Sequence, residues 1–149
     1  MEYNIYITSM YNKVEENAVA VSNIIDEENN VQEFFAEGQN SSIALLKAFN
    51  ASLNTIPENS SDKVDLIVHT DSSYIITCLY NMNKWFFKGM RKKDGSPVAN
   101  PDLILDLIEL TGKVTGEKEV LEYPADDPGV LKLKVRIVRL IKAGTVQYV

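Results

Sequence analysis

Residues 64 to 70, VDLIVHT, form a nearly unbroken apolar run with no alternation of polar side chains. A strand of that kind is buried on both faces, so it belongs inside a sheet covered by helices. The run stops at Asp71, and Ser72 then opens a stretch with helical character, SSYIITCLYNM. In sheets of this kind, binding and catalytic groups gather at the carboxyl ends of strands. Asp71 stands at such an end.

The elements around this strand can be read from their periodicity. YNIYITSMY alternates and predicts a strand at 3 to 9, and AVAVSNIID predicts a second. EENN is a hairpin turn into a third strand, VQEFFAEG, closed by Gly38. In NSSIALLKAFNASL, Ile43, Leu46 and Phe49 recur at helical spacing, with Ser41 or Ser42 as the cap. KKDGSP has turn chemistry. Asn100 is the expected cap of a further helix, NPDLILDLIELTG, with Pro101 at its first position. EVLEYP is a fifth strand and ADDPG a loop. The last segment, VLKLKVRIVRLIKAG, reads two ways. Leu131, Leu133, Val135 and Ile137 alternate with cations as in a strand, whereas Leu133, Ile137, Leu140 and Ile141 fit a helix. The order implies an α/β fold, a mixed sheet flanked by helices.

The chain of 149 residues, without internal repeats or linkers, suits a single domain over 1–149. Its one cysteine, Cys78, excludes an internal disulfide and a multi-cysteine metal site, and fits a small core residue. No membrane span or signal peptide is readable, so a cytoplasmic protein is expected. The net charge of −6 disfavours a general nucleic-acid binder. That charge is unevenly spread. No acid follows Asp127, while Lys132, Lys134, Arg136, Arg139 and Lys142 are all basic.

Two stretches carry a resemblance. HTDSSYIITCL (69–79) and GMRKKDGSPVANPDLI (89–104) stand in the order and nearly the spacing of two motifs of type 1 ribonuclease H. In that family the Asp of the first stretch is a metal ligand, and the second follows the substrate-binding helical region. The resemblance implies a ribonuclease H-like five-stranded mixed sheet, three antiparallel strands then parallel ones, flanked by helices. It also favours a helix for the last segment. The family's chemistry uses two divalent ions about 4 Å apart, held by a cluster of carboxylates.

Carried over position by position, that cluster is depleted. The family's first acid falls on Thr8, its second on Ala44 and its last on Lys134, and only Asp71 keeps its carboxylate. The sole histidine, His69, lies inside the apolar strand, where a core or edge role is expected, not the family's mobile histidine. Asp126 and Asp127 stand nearby in sequence but on a loop. No catalytic site is intact on this reading and no metal is held. Asp71 is instead expected to pair with Lys134, with Thr8 close by. A handle remains for binding. Lys84, Trp85, Phe87, Lys88, Arg91, Lys92 and Lys93 interleave rings and cations, a pattern suited to backbone tracking and base stacking. Trp85 and Phe86 could equally pack one helix on the next. The function expected is that of an inactive ribonuclease H-like domain that binds nucleic acid, such as an RNA–DNA hybrid, or a protein partner. A viral or mobile-element factor that modulates a host nuclease would fit. The alternative is a hybrid-cutting ribonuclease with a rearranged, Mg²⁺-dependent site; otherwise no cofactor is called for.

Overall fold

The computed structural model describes residues 1–149. The chain runs β1 (Glu2–Asn12), β2 (Asn17–Ile25), β3 (Val31–Gly38), α1 (Ser41–Asn54), β4 (Asp65–Thr70), α2 (Ser73–Phe87), α3 (Pro101–Thr111), β5 (Lys118–Glu122) and α4 (Pro128–Ala143). The five strands form one sheet in the order β3-β2-β1-β4-β5. The pairs among β1, β2 and β3 are antiparallel, and β4 lies parallel to both β1 and β5. The mixed sheet expected from the sequence is the one that forms.

The main core lies between one sheet face and α1, α2 and α3. Ile5 and Ile7 of β1, Leu66 and Val68 of β4, and Leu46, Phe49 and Leu53 of α1 are buried there. Ala18, Ala20 and Ala36 give β2 and β3 a shallow surface on that side, so α1 can approach closely. Gly38 is required where β3 turns into α1, because a Cβ there would come within 2.7 Å of the Ile43 side chain. The opposite sheet face carries a smaller cluster of Val19, Val21 and Phe35, covered by Ile137 of α4. This face is only partly covered.

Several local expectations change. The cap of α1 is Asn40, whose side chain accepts from the Ile43 N–H at 3.0 Å; Ser41 and Ser42 are already helical. Asn100 precedes α3 in a left-handed conformation and makes no side-chain cap. Helix α2 runs five residues beyond Met82, since nothing breaks it before Gly89. The last segment is a helix. Asp127 caps it by accepting from the Gly129 and Val130 N–H groups, Pro128 starts it, and Gly144 ends it at φ 68°. Those caps and the apolar stripe Val130, Leu133, Ile137 override the short strand-like alternation, because one helical face buries against the sheet. No helix is long and apolar enough to cross a membrane.

Candidate functional site

Parallel pairing of β1 with β4 aligns Ile7 with Thr70, which sets Thr8 beside Asp71. The Thr70 hydroxyl donates to the Ile7 carbonyl at 2.8 Å and accepts from the Ser72 N–H at 3.0 Å. Ser72 in turn caps α2, accepting from the Ile75 N–H. The T-D-S sequence is thereby fixed, and the Asp71 carboxylate points across the strand ends. Both of its oxygens are engaged. The buried Thr8 hydroxyl donates to Oδ1 at 2.7 Å, and the Lys134 ammonium sits 2.9 Å from Oδ2. The two charged side chains are only 11% and 19% exposed, so the pair is largely shielded from water.

The expected meeting of Thr8, Asp71 and Lys134 therefore occurs. Ala44 does not join them as a polar group; it is fully buried in the apolar core. Hard divalent ions need several oxygen ligands. One carboxylate already held by a lysine and a threonine does not fit a pair of such ions. Nowhere do three or more His, Cys, Asp or Glu side chains gather as they would around a metal. Asp127 serves as the cap of α4.

The second candidate region is the far end of α2. Ile75, Cys78, Met82 and Trp85 follow one helical stripe, and Trp85 packs against the main core. Of the two candidate stacking rings, Trp85 is the one that turns inward, half-buried, as its alternative packing role expects. Phe86 and Phe87 lie off that stripe, 48% and 85% exposed, with ring centroids 5.6 Å apart in an edge-to-face arrangement. Phe86, the other ring that could pack α2 onto α3, stays about half exposed. Lys84, Lys88, Arg91, Lys92 and Lys93 are all exposed. The chain leaves α2 through Gly89 at φ 70° and Met90 at φ 62°. The left-handed turn at Met90 is costly for a residue with a side chain, and hydrogen bonds hold it in place. The Met90 N–H donates to the Trp85 carbonyl at 2.7 Å, and the Met90 carbonyl accepts from Val98 N–H at 3.0 Å. Arg91 donates to the Gly95 carbonyl across the following turn. The rings and cations are presented on a fixed backbone.

No protein-family model matches the chain, and no curated protein matches it in sequence. Solved structures do. A type 1 RNase H with the type 2 active-site motif, LC9-RNase H1, superposes with a TM-score of 0.66 at 14% identity, over 98% of this chain and 74% of that one. The foamy viral protease-reverse transcriptase, solved in complex with double-stranded DNA, superposes with a TM-score of 0.59 at 11% identity, over 90% and 86%. The fold is ribonuclease H-like. At such identities the likeness speaks of architecture, and the residues must speak for chemistry.

In this ribonuclease H-like fold, His69 has the core role expected of it, and its partners and those of Arg136 are what the sequence did not show. His69 is buried and stacks on Tyr6 with ring centroids 4.1 Å apart. Its Nε2 donates to Asn4 Oδ1 at 2.8 Å, which leaves Nδ1 to accept from the Tyr123 hydroxyl at 2.8 Å. Burial pushes its pKa below 6.5, against a weaker opposite pull from Glu119, so the neutral ring is favoured. Arg136 grips Glu33 of β3 through three contacts of 2.6 to 3.0 Å. Together with Lys134 it fastens α4 to the sheet. For Arg136 the only signal in the sequence was the acid-free, basic character of the last segment.

Proposed function

We propose that this chain is a ribonuclease H-like domain that binds nucleic acid without cutting it. The observation that carries the reading is the Lys134 ammonium at 2.9 Å from Asp71, the one acid retained from the family pattern. A fixed positive charge there repels divalent ions and already satisfies the carboxylate. Two-ion hydrolysis needs the opposite, a cluster of uncommitted oxygens. The binding half rests on the end of α2. Exposed Phe87 offers a face for a base or sugar, and Lys84, Lys88, Lys92 and Lys93 offer cations for phosphates. The solved neighbours include a polymerase bound to double-stranded DNA, which lends the fold-level precedent.

The test is a gel-shift and cleavage series with an RNA–DNA hybrid, duplexes and single strands at two salt concentrations, with Mg²⁺ or Mn²⁺. Salt-sensitive retardation without strand scission is the expected result. Metal-dependent cleavage abolished by Asp71→Asn would reverse the first half and favour the rearranged-site nuclease.

A protein partner is the second reading. Leu131, Val135 and Val138, at i, i+4 and i+7 of α4, are 44%, 48% and 37% exposed, an apolar stripe left partly open to solvent. Such a partner would suit a viral or mobile-element factor that blocks or scaffolds a host nuclease. No shift with any nucleic acid at low salt would favour it.

A further inference from the structure

The two edges of the sheet end differently. At the β3 edge the chain's own tail lies alongside, with Tyr148 bridged to Phe35 and the Val149 N–H donating to the Phe35 carbonyl at 2.8 Å. At the other edge, β5 pairs with β4 alone. The Glu117 carbonyl accepts from the Leu66 N–H and the Tyr123 N–H donates to the Thr70 carbonyl, so both residues turn their backbone groups towards β4. The two-residue period of a strand then points the N–H and C=O of Lys118, Val120 and Glu122 outwards. Nothing else in the chain hydrogen-bonds to them. The side chains of Lys118, Glu119, Leu121 and Glu122 are exposed, so this edge is open.

An open edge invites another strand, and native proteins commonly guard it with charged side chains. The charges of β5 give no such protection against a second copy of the same strand. Set antiparallel to itself about Val120, the stretch KEVLE brings Lys118 opposite Glu122 of the other copy, once at each end. Residues directly opposite lie on one face of a sheet, so these opposite charges meet. In the same register the three residues with outward backbone groups face one another, and each such pair exchanges two N–H···O bonds. Slipping the register by two residues loses both charge pairs. Neither Lys118 nor Glu122 takes part in an ion pair within the chain. On the other face Leu121, 36% exposed, comes to lie against the stem of Glu119.

We infer that β5 is the contact strand of a two-fold dimer of this chain, in which two copies of β5 pair antiparallel about Val120 and join the two sheets into one. The same patch serves on both copies, so the contact closes at two. The β3 edge, lined by the tail, offers no second open edge for further growth. A strand of five residues makes a small contact, which places the dimer among weak, reversible assemblies. The inference does not rest on nucleic-acid binding at the end of α2.

The test is sedimentation of the full chain from micromolar to millimolar concentration, at low and high salt. A reversible monomer–dimer equilibrium is expected, weaker at high salt and with no species beyond the dimer. Lys118→Glu alone and Glu122→Lys alone each set like charges opposite one another at both ends of the contact. Each should weaken the dimer about tenfold. Mixing the two single variants restores opposite charges at both ends, so a heterodimer of about native affinity should form, a rescue that misfolded chains could not give. The double variant Lys118→Glu with Glu122→Lys should dimerise with itself as the native chain does. The inference is overturned by a chain that stays monomeric at millimolar concentration, or by association that runs past the dimer. Dimers that neither single reversal weakens, or that mixing does not restore, would overturn it as well.

Discussion

The strand-end corner and the far end of α2 are both rich in charge, and they hold it in opposite ways. At the corner, one carboxylate meets one ammonium and one hydroxyl, and the side chains are nearly closed to water. At the end of α2, five cations stand exposed around two exposed rings with no acid bound to any of them. The first arrangement uses its charge to fix α4 against the sheet. The second leaves its charge available to something outside the chain. The pattern that marks a catalytic family in the sequence has thus turned inward at one end and stayed open at the other.

The comparison breaks most directly at Lys134. Lys134→Met strands Asp71 in a poorly hydrated corner, and removing one partner of a buried pair costs about 3 kcal/mol. Urea denaturation should report that loss, and Asp71→Asn in the same chain should recover most of it. A cost below about 0.5 kcal/mol, typical of exposed pairs, would mean that the corner is as open as the end of α2.

Neighbouring rings on α2 sharpen the contrast next. Trp85→Ala should destabilise by about 2–3 kcal/mol, somewhat less than truncating a fully buried ring. Phe87→Ala should change stability by no more than about 0.5 kcal/mol, yet weaken nucleic-acid binding by about 1–3 kcal/mol if a base stacks there. Melting curves beside binding isotherms separate the two effects.

A smaller effect is expected from single lysines. Lys92→Ala should leave stability unchanged and reduce the slope of log affinity against log salt by about 0.7–0.9, one phosphate contact. An unchanged slope would remove Lys92 from the interface.

The smallest effect is a pH dependence at His69. The folded state holds its pKa below the ordinary 6.5, so the unfolded chain binds the extra proton first. Stability from this group is complete above pH 6.5 and declines as pH falls from 6.5 towards the folded value. Melting temperatures of the native chain and of His69→Gln, followed from pH 7.5 downwards, should converge as the medium is acidified.

Cys78 illustrates how far residue type alone carries: burial was expected, and the thiol is fully buried, with its pKa pushed up to about 11 by desolvation. Strand order along the chain, the buried character of β4 and the depletion of acids at family positions were equally legible, because each depends on local pattern. Helix α4 was not, since a run of seven alternating residues satisfies a strand and a helix alike until a surface is supplied to bury one face. Trp85 and Phe87 looked equivalent as letters, and only the direction of the helix set one inward and one outward.

By itself the sequence determined that five strands and their helices would assemble around VDLIVHT, and that Thr8, Ala44 and Lys134 would stand where a metal-binding family keeps its acids. Hydrophobic period and residue identity are local properties, readable without contacts. Tertiary structure alone decided that Arg136 seizes Glu33, that the His69 ring is held between Asn4 and Tyr123, and that the Asn23 side-chain oxygen is buried with no donor. These relations join residues about twenty to a hundred positions apart, and they exist only once sheet register and helix docking bring distant side chains within a few ångströms.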